Sequence, residues 1–253
     1  MVDKKEFQQW FNDKADLYRD TRPHYPPALF EALAALCGEH SRAWDAACGN
    51  GQASLGLAEH FSQIIATDIS RQQLANAFPH ERVQYALQAS EALAFPENTF
   101  DLVCVAQALH WFDYDKFWPE VKRVLKPGGL FAAWGYSWLK GDDAVFQLIE
   151  REVSAVVRPY WAPQNSLLWN QYRDVPFPFE RLDIPAFELV LQWDLKALFG
   201  YIHSWSATRR CMEAQGEQFF WDAYEHVASL WGDTSTKRIV RMELFILAGR
   251  NEK

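Results

Sequence analysis

The stretch Asp45-Ala46-Ala47-Cys48-Gly49-Asn50-Gly51 decides the fold, because it joins a short apolar strand over 42–47 to a helical pattern over 53–61. Glycines at such a junction let a ligand approach the backbone, where the first N–H groups of a helix have no partner. In sheets of parallel strands, ligands bind at this carboxyl edge. The stretch therefore predicts a ligand site where the first strand ends.

The alternation of short apolar runs and helical patterns continues on both sides of this loop. It predicts further strands over 64–68, 83–87, 100–106, 130–136, 187–193 and 238–247. It predicts helices over 28–36, 70–78 (capped by Ser70), 118–125, 142–157, 195–204 and 216–230. Apolar strands interleaved with helices are typical of a mostly parallel sheet that is covered on both faces. We therefore predict an α/β fold with a doubly wound, mostly parallel, seven-stranded sheet.

Composition restricts the class of protein. The chain has 253 residues, of which 49% are apolar and 23% charged, as in ordinary globular proteins. The 25 Lys and Arg against 33 Asp and Glu give a net charge of −8, which disfavours nucleic-acid partners. Neither a secretory leader nor an apolar run long enough to span a membrane is visible in the sequence, so we expect a cytoplasmic protein. The four cysteines and seven histidines match no metal-ligand spacing, and no metal is expected.

An acidic residue strengthens the prediction made from the glycine loop. Asp68 ends the second predicted strand, 17 residues after Gly51, where a carboxylate can accept both hydroxyls of a ribose. The dinucleotide pattern G-x-G-x-x-G is not met, because Ser54 stands where its third glycine would be. An adenosine-like ligand is one interpretation. The other is structural: the glycines make a tight turn and Asp68 caps the next helix.

Four separated segments resemble the class I S-adenosylmethionine-dependent methyltransferases. They are Asp45 to Gly51, Asp68, Asn98 to Val103 (N-T-F-D-L-V), and Val124 to Gly129 (V-L-K-P-G-G). Within that superfamily the chain is more similar to the methyltransferase type 11 branch that holds the trans-aconitate carboxyl methyltransferases and their bacterial relatives. The segments that carry this likeness are Tyr18 to Pro26, Ala106 to Asp113, and Ser204 to Thr208.

The resemblance implies a single methyltransferase domain over 1–253. Residues 1–136 would form the cofactor-binding half, and 137–253 a substrate-side insertion with the final strands. The implied cofactor is S-adenosyl-L-methionine, with S-adenosyl-L-homocysteine as product. The implied cofactor-binding residues are Tyr18, Arg22, Asp45, Ala47, Gly49, Gly51, Asp68, Ile69, Ser90, Glu91 and Gln107. Two positions depart from the family pattern, since Ala47 and Ala89 stand where many relatives carry glycine and aspartate.

Individual roles follow from the same resemblance. Asp45 would orient the loop or meet the methionine ammonium, and Ile69 would press on the adenine. Gln107 would contact the sulfonium end. Tyr18 and Arg22 would fold over the cofactor and pair with its carboxylate, although Arg22 could equally be a surface residue.

The expected acceptor is a small molecule, with a carboxylate oxygen as the leading choice. A carboxylate is already ionised at neutral pH, whereas a phenol usually needs a base, and the sequence offers only His110 for that role. His110, Arg209 and Arg210 are candidate anion partners, and Trp111 is a candidate for lining the substrate pocket. Their structural alternatives are a core histidine, two solvated arginines at a helix end, and core packing.

Three competing functions stay open at this point. The first is methylation of a phenolic oxygen or of a carbon on a quinone-like or aromatic acceptor, which the excess of tryptophan would suit. The second is a non-catalytic protein that binds an adenosyl ligand as a sensor. The third is a nicotinamide-dependent oxidoreductase, which the missing third glycine disfavours.

Overall fold

The computed structural model describes residues 23–136, 138–140 and 144–252. Its strands form one seven-stranded sheet with the order β3-β2-β1-β4-β5-β7-β6. The strands are β1 (Arg42–Ala46), β2 (Gln63–Asp68), β3 (Val83–Leu87), β4 (Phe100–Ala106), β5 (Leu125–Tyr136), β6 (Phe187–Trp193) and β7 (Arg238–Arg250).

The sheet is mostly parallel, as the apolar runs predict. β1 pairs in parallel with both β2 and β4, β2 pairs with β3, and β4 pairs with β5, while β7 runs antiparallel to β5. After β1 the chain builds β2 and β3 on one side, and it then returns to build β4 on the other. The prediction of a doubly wound α/β fold is confirmed, and the strand order reverses at β1 and β4.

Helices connect these strands. They are α1 (Pro27–Ala35), α2 (Gln52–Ala58), α3 (Arg71–Ala75), α4 (Tyr114–Val124), α5 (Ala144–Ile149), α6 (Ala155–Val157), α7 (Asn165–Trp169), α8 (Leu195–His203), α9 (Ser206–Gln215) and α10 (Gln218–Trp231). Ser70 caps α3 as expected, since its Oγ accepts from the Gln73 N–H at 3.2 Å. That helix ends at Ala75, three residues before the predicted end.

Large side chains between β1, β4 and α4 make the core that supports the loop after β1. Trp44, Phe100, Val103 and Phe117 are fully buried there. The Trp44 indole N–H donates to Thr67 Oγ1 at 2.9 Å, so its polar atom is satisfied inside the core. Full burial of a large apolar side chain contributes about 1.5–3 kcal/mol, and this core therefore holds the carboxyl edge of the sheet in place.

The opposite edge of the sheet is fixed by Asp101, which lies at the start of β4 and is 4% exposed. Its Oδ2 accepts from the backbone N–H groups of Ser41 and Arg42, each at 2.8 Å. Its Oδ1 accepts from Lys126 Nζ at 2.6 Å. One carboxylate thus joins the starts of β1, β4 and β5.

The structure corrects the predicted boundaries around β5. The strand begins at Leu125, not at residue 130, and therefore includes Pro127, Gly128 and Gly129, which are typical of a turn. Its pairing with β4 shifts register between Phe100 and Leu102, as at a β-bulge. The preceding helix begins at Tyr114, four residues before the predicted start, and Pro119 lies within it.

The second half departs further from prediction. The helix expected over 142–157 is described from Ala144 and contains a π-helical segment, Glu150–Ser154, between α5 and α6. Two helices, α7 and α9, were not predicted. The stretch after residue 163 is rich in proline and aromatic residues, and α7 has only five residues, too few for a periodic pattern.

The described chain divides into two compact units. One holds residues 24–136, 164–188 and 243–252, with most of the sheet; the other holds 138–140, 144–163 and 189–242, with most of the C-terminal helices. Residues 243–252 belong with the first unit, in which β7 pairs with β5. Residues 164–188 also belong with the first unit. The division of the chain into a cofactor-binding half and a substrate-side half stays a prediction.

None of the helices in the described part of the chain is long and apolar enough to cross a membrane. No group of three or more His, Cys, Asp or Glu side chains within the same residues could hold a metal ion.

Candidate functional site

The loop after β1 has the backbone that its glycines predict. Ala47, Gly49 and Gly51 all have positive φ angles, of 54°, 57° and 88°. The loop is tied to the sheet by the Cys48 N–H, which donates to the Thr67 carbonyl at 2.9 Å. The chain then enters α2, and Gly51 is its N-cap. The left-handed backbone of Ala47 is one that glycine adopts at lower cost than a residue with a Cβ atom.

Gly51 is required by a close contact with Tyr85. A Cβ atom at Gly51 would lie 2.1 Å from Tyr85 Oη and 2.9 Å from two of its ring carbons. The Tyr85 hydroxyl is itself held, because it donates to the Phe78 carbonyl at 2.7 Å. No local pattern marks Tyr85, since its contact with Gly51 joins β3 to the loop before α2.

Asp45 lies at the end of β1, directly below this loop, and is fully buried. Its Oδ2 accepts from Ser54 Oγ at 2.5 Å, and its Oδ1 accepts from Cys104 Sγ at 3.7 Å. Burial raises the pKa of Asp45 to about 6, and these two hydrogen bonds oppose the rise. With both oxygens turned to α2 and β4, Asp45 is placed to orient the loop, which favours the first of its two expected roles. Ser54 was noted in the sequence only as a missing glycine.

Asp68 ends β2 and reaches across to the glycine loop. Its Oδ2 accepts from the Gly49 N–H at 2.8 Å, and its Oδ1 accepts from the Ser70 N–H at 2.7 Å. The carboxylate is 9% exposed. A carboxylate has about four acceptor positions, so two remain for further donors. The structural interpretation and the ligand interpretation are therefore compatible, because Asp68 fixes the loop and keeps capacity for two hydroxyls.

Ile69, Ser90 and Glu91 occupy the positions expected to meet an adenine. Ile69 follows the buried Asp68 directly and is 77% exposed. Ser90 is buried, and Glu91 Oε1 accepts from the Asp113 N–H at 3.4 Å. An apolar side chain left in water next to Asp68 is well suited to cover the face of a flat ligand.

Gln107 follows β4 at the point where the strand order reverses. Its φ angle is 58°, a left-handed conformation in which few non-glycine residues lie. Its backbone N–H donates to the Trp134 carbonyl at 2.8 Å. Its side-chain Nε2 is buried and has no hydrogen-bond partner among the described residues. A strained residue with an unpaired buried amide is a frequent property of a ligand-binding position.

His110 lies in a single 3₁₀ turn, Leu109–Trp111, three residues further on. It is 4% exposed, and its Nδ1 lies 3.4 Å from Tyr172 Oη. Burial lowers the pKa of His110 to about 4, so the imidazole is uncharged at neutral pH. It is therefore poorly suited to be a cationic anion partner or a strong base. Trp111, its neighbour, is 50% exposed and free to line a pocket.

The remaining predicted residues lie either in the other compact unit or outside the described residues. Tyr18 and Arg22 lie outside the described residues. Arg209 and Arg210 lie on α9 in the other compact unit, where both side chains are exposed. Arg210 Nη1 donates to the Tyr160 carbonyl at 3.3 Å. The role of these two arginines toward an acceptor stays a prediction.

Comparisons with known proteins identify the family of this chain. A family model described as a methyltransferase domain matches residues 44–133. A Dictyostelium discoideum protein, provisionally named a methyltransferase, is 31% identical over 205 residues, which cover 79% of this chain and 78% of that protein. An uncharacterized methyltransferase of Mycobacterium tuberculosis is 31% identical over 143 residues, which cover 55% of this chain and 56% of that protein.

A solved structure extends the likeness to most of the chain. The protein is from Anaeromyxobacter dehalogenans and is provisionally described as a type II methyltransferase. It is 36% identical, with a TM-score of 0.85, and the match covers 91% of this chain and 98% of that one. The chain belongs to the S-adenosylmethionine-dependent methyltransferases and has their Rossmann-like α/β fold. The nicotinamide-dependent alternative is therefore set aside.

Proposed function

We propose that the loop after β1, together with Asp68, Ile69 and Gln107, holds S-adenosylmethionine. The observation that carries the proposal is the Asp68 carboxylate, which is fixed by Gly49 and Ser70 and keeps acceptor capacity for a ribose. The residues present fit the group in two further ways. Ile69 supplies an exposed apolar surface, and Gln107 supplies a buried amide that has no partner among the described residues.

We further propose that the acceptor is the carboxylate oxygen of a small molecule. When bound, S-adenosylmethionine supplies a methyl group that is already activated on a sulfonium, so the protein mainly has to align the acceptor. The acceptor oxygen forms its bond to the methyl carbon as the carbon–sulfur bond breaks, which yields a methyl ester and S-adenosylhomocysteine. A carboxylate needs no base for this step, because it is ionised at neutral pH.

The protonation state of His110 supports a carboxylate over a phenol. A phenol has a pKa near 10 and usually loses its proton to a positioned base during the reaction. His110 is the base candidate nearest the end of β4, and burial lowers its pKa to about 4. A group that holds a proton so weakly is a poor base for a phenol. A carboxylate acceptor makes no such demand.

Aromatic acceptors, methylated on a carbon or a phenolic oxygen, are the second candidate. The half-exposed ring of Trp111 favours them, since a flat acceptor can stack on it. A non-catalytic sensor would keep the cofactor site but transfer no methyl group, so detection of any methylated product excludes it.

Calorimetric titration of S-adenosylhomocysteine tests the cofactor site. We expect micromolar binding to the wild type and a loss of at least roughly tenfold in Asp68→Ala, because two hydroxyl contacts and the support of the loop disappear. Asp183→Ala removes an exposed carboxylate elsewhere in the same unit and should bind like the wild type. Equal affinity for all three proteins would refute the role of Asp68.

Product analysis then tests the acceptor. Pools of small carboxylic acids, phenols and quinones are incubated with the enzyme and labelled S-adenosylmethionine, and labelled products are identified by mass spectrometry. A methyl ester supports the carboxylate proposal. Transfer confined to phenols or ring carbons would overturn it in favour of the second candidate.

A further inference from the structure

A buried polar contact between His110 and Tyr172 is not explained by the cofactor site. The His110 Nδ1 atom lies 3.4 Å from Tyr172 Oη, and the two rings are stacked with centroids 6.3 Å apart. Tyr172 is fully buried, and the edge of its ring packs against Phe245 at a centroid distance of 5.3 Å. Packing on both sides restricts the tyrosine ring, so its hydroxyl is held beside the imidazole.

The backbone that carries Tyr172 is strained. Gln171 and Tyr172 have φ angles of 60° and 58°, two consecutive non-glycine residues in the left-handed region. They end α7, where the Tyr172 N–H donates to the Leu167 carbonyl at 2.8 Å. Left-handed conformations are costly for residues with a Cβ, and they are retained mostly where the delivered side chain is needed. The strained backbone therefore suggests a specific role for the Tyr172 hydroxyl.

The proton of the Tyr172 hydroxyl fixes the direction of this contact. Burial raises the pKa of Tyr172, so the hydroxyl keeps its proton and is a donor. The Tyr172 O–H needs an acceptor, because an unsatisfied buried hydroxyl is unfavourable.

His110 Nδ1 is the acceptor that the structure offers. The neighbouring hydroxyl of Tyr114 is buried and has no hydrogen-bond partner within the described chain, so it does not receive this proton. A neutral imidazole carries its proton on one nitrogen and accepts on the other. If Nδ1 accepts from Tyr172, the proton of His110 is on Nε2. That nitrogen makes no hydrogen bond to any residue that the structure describes.

We propose that Tyr172 is a positioning residue that holds His110 as the neutral Nε2–H tautomer, so that His110 offers a hydrogen-bond donor, and neither a base nor a cation, to an oxygen of the methyl acceptor. The inference rests on the proposed function in one step, namely that His110 faces the acceptor. His110 lies just beyond the carboxyl end of β4 and contacts the half-exposed Trp111 at a ring-centroid distance of 4.8 Å.

A hydrogen-bond donor in a fixed position can hold and orient an oxygen nucleophile. A neutral N–H aimed at one carboxylate oxygen holds the acceptor and orients the other oxygen, without the proton transfer that a base would perform. The chemical class selected is therefore an acceptor that already carries an ionised or carbonyl oxygen. Burial is the single effect that shifts the pKa of His110, and no charged group among the described residues acts on it.

Nitrogen NMR of the full-length protein with ¹⁵N-labelled histidine tests the tautomer directly, and it needs neither acceptor nor turnover. The signals of His110 are assigned by their loss in His110→Gln. We expect a pyridine-type shift for Nδ1 and a pyrrole-type shift for Nε2 near neutral pH. In Tyr172→Phe we expect a mixture of tautomers. Tyr114→Phe, which removes a buried hydroxyl without a partner among the described residues, is the matched control and should resemble the wild type.

Two outcomes would overturn the proposal: a proton on Nδ1 in the wild type, or an unchanged tautomer in Tyr172→Phe. Should Tyr172→Phe not fold, the wild-type spectrum alone still decides. Once an acceptor is known, Tyr172→Phe should lower kcat roughly tenfold, the effect of about one hydrogen bond, with unchanged affinity for S-adenosylhomocysteine. His110→Gln keeps a side-chain N–H and should retain more activity than His110→Leu. If the wild type shows the Nε2–H tautomer but does not bind S-adenosylhomocysteine, that result would instead count against the proposed cofactor site.

Discussion

Replacement of Gly51 by alanine should destabilise the protein by about 2–3 kcal/mol, for two separable reasons. An alanine at φ 88° costs roughly 1–2 kcal/mol, because its Cβ crowds the backbone in the left-handed region. The same Cβ would lie 2.1 Å from Tyr85 Oη, so the tyrosine has to move. It then loses its hydrogen bond to the Phe78 carbonyl, which contributes about 1 kcal/mol.

Two other glycines are matched controls for these two reasons. Gly128 also has a positive φ, of 74°, but a Cβ there would meet nothing within 4 Å, so Gly128→Ala measures the cost of the backbone alone. Gly38 has open space and no positive φ, and Gly38→Ala should change the stability by less than about 0.5 kcal/mol. Urea unfolding of the three variants gives the free energies. The order of destabilisation should be Gly51→Ala, then Gly128→Ala, then Gly38→Ala.

A double-mutant cycle isolates the contact with Tyr85. Tyr85→Phe removes the hydroxyl, so in that background Gly51→Ala no longer costs the hydrogen bond to Phe78 and should be about 1 kcal/mol milder. The reasoning is refuted if Gly51→Ala destabilises no more than Gly128→Ala, or if the two changes at positions 51 and 85 are additive. Either result would mean that Tyr85 yields to the new methyl group at no cost.

Three further predictions concern other parts of the molecule. Burial raises the pKa of Asp45 to about 6, so Asp45 contributes stability that is present below its unfolded pKa near 4 and is lost as the pH rises through 6. Burial lowers the pKa of His110 to about 4, so His110 contributes stability that is lost as the pH falls from about 6.5 toward 4. The two effects oppose each other, so Asp45→Asn should steepen the rise of unfolding free energy between about pH 4 and pH 6.5 by up to about 3 kcal/mol in urea titrations, and an unchanged slope would contradict this assignment. Asp101→Ala leaves two backbone N–H groups and the Lys126 ammonium without their buried acceptor and should cost about 3 kcal/mol in urea unfolding, whereas a loss below about 1 kcal/mol would show that water replaces the carboxylate. Ile69→Ser should weaken binding of S-adenosylhomocysteine roughly tenfold by calorimetry while the stability stays within about 0.5 kcal/mol; unchanged affinity would remove Ile69 from the site.

The positions of most strands were the most predictable part of the fold. Apolar runs such as 100–106 are short, nearly continuous and bounded by polar residues, so their position follows from the sequence. The beginning of β5 did not follow. Pro127, Gly128 and Gly129 are typical of a turn, and only the shift of register against β4 keeps them inside a strand. The helix α9 was missed because three of its ten residues are buried, too few for a clear apolar face in the sequence.

The candidate site was predicted in part for a similar reason. Gly49, Gly51 and Asp68 stand at fixed positions in the first two βα units, and the sheet brings the ends of neighbouring parallel strands together. Tyr85 and Tyr172 carried no such signal. Each acts through a residue that is distant in sequence, at position 51 for the first and position 110 for the second.

The class of fold and two features of the candidate site, the glycine loop and Asp68, follow from the sequence alone. These depend on periodicity and local backbone freedom, which are properties of short segments. Tertiary structure alone decided the charge state of His110, the elevated pKa of Asp45 and the contact that forbids a side chain at Gly51. The contact at Gly51 joins two residues that are 34 positions apart in the sequence. The pKa values of Asp45 and His110 depend on the exclusion of water from a carboxylate and an imidazole. No local pattern encodes such effects, because they arise only when distant segments pack together.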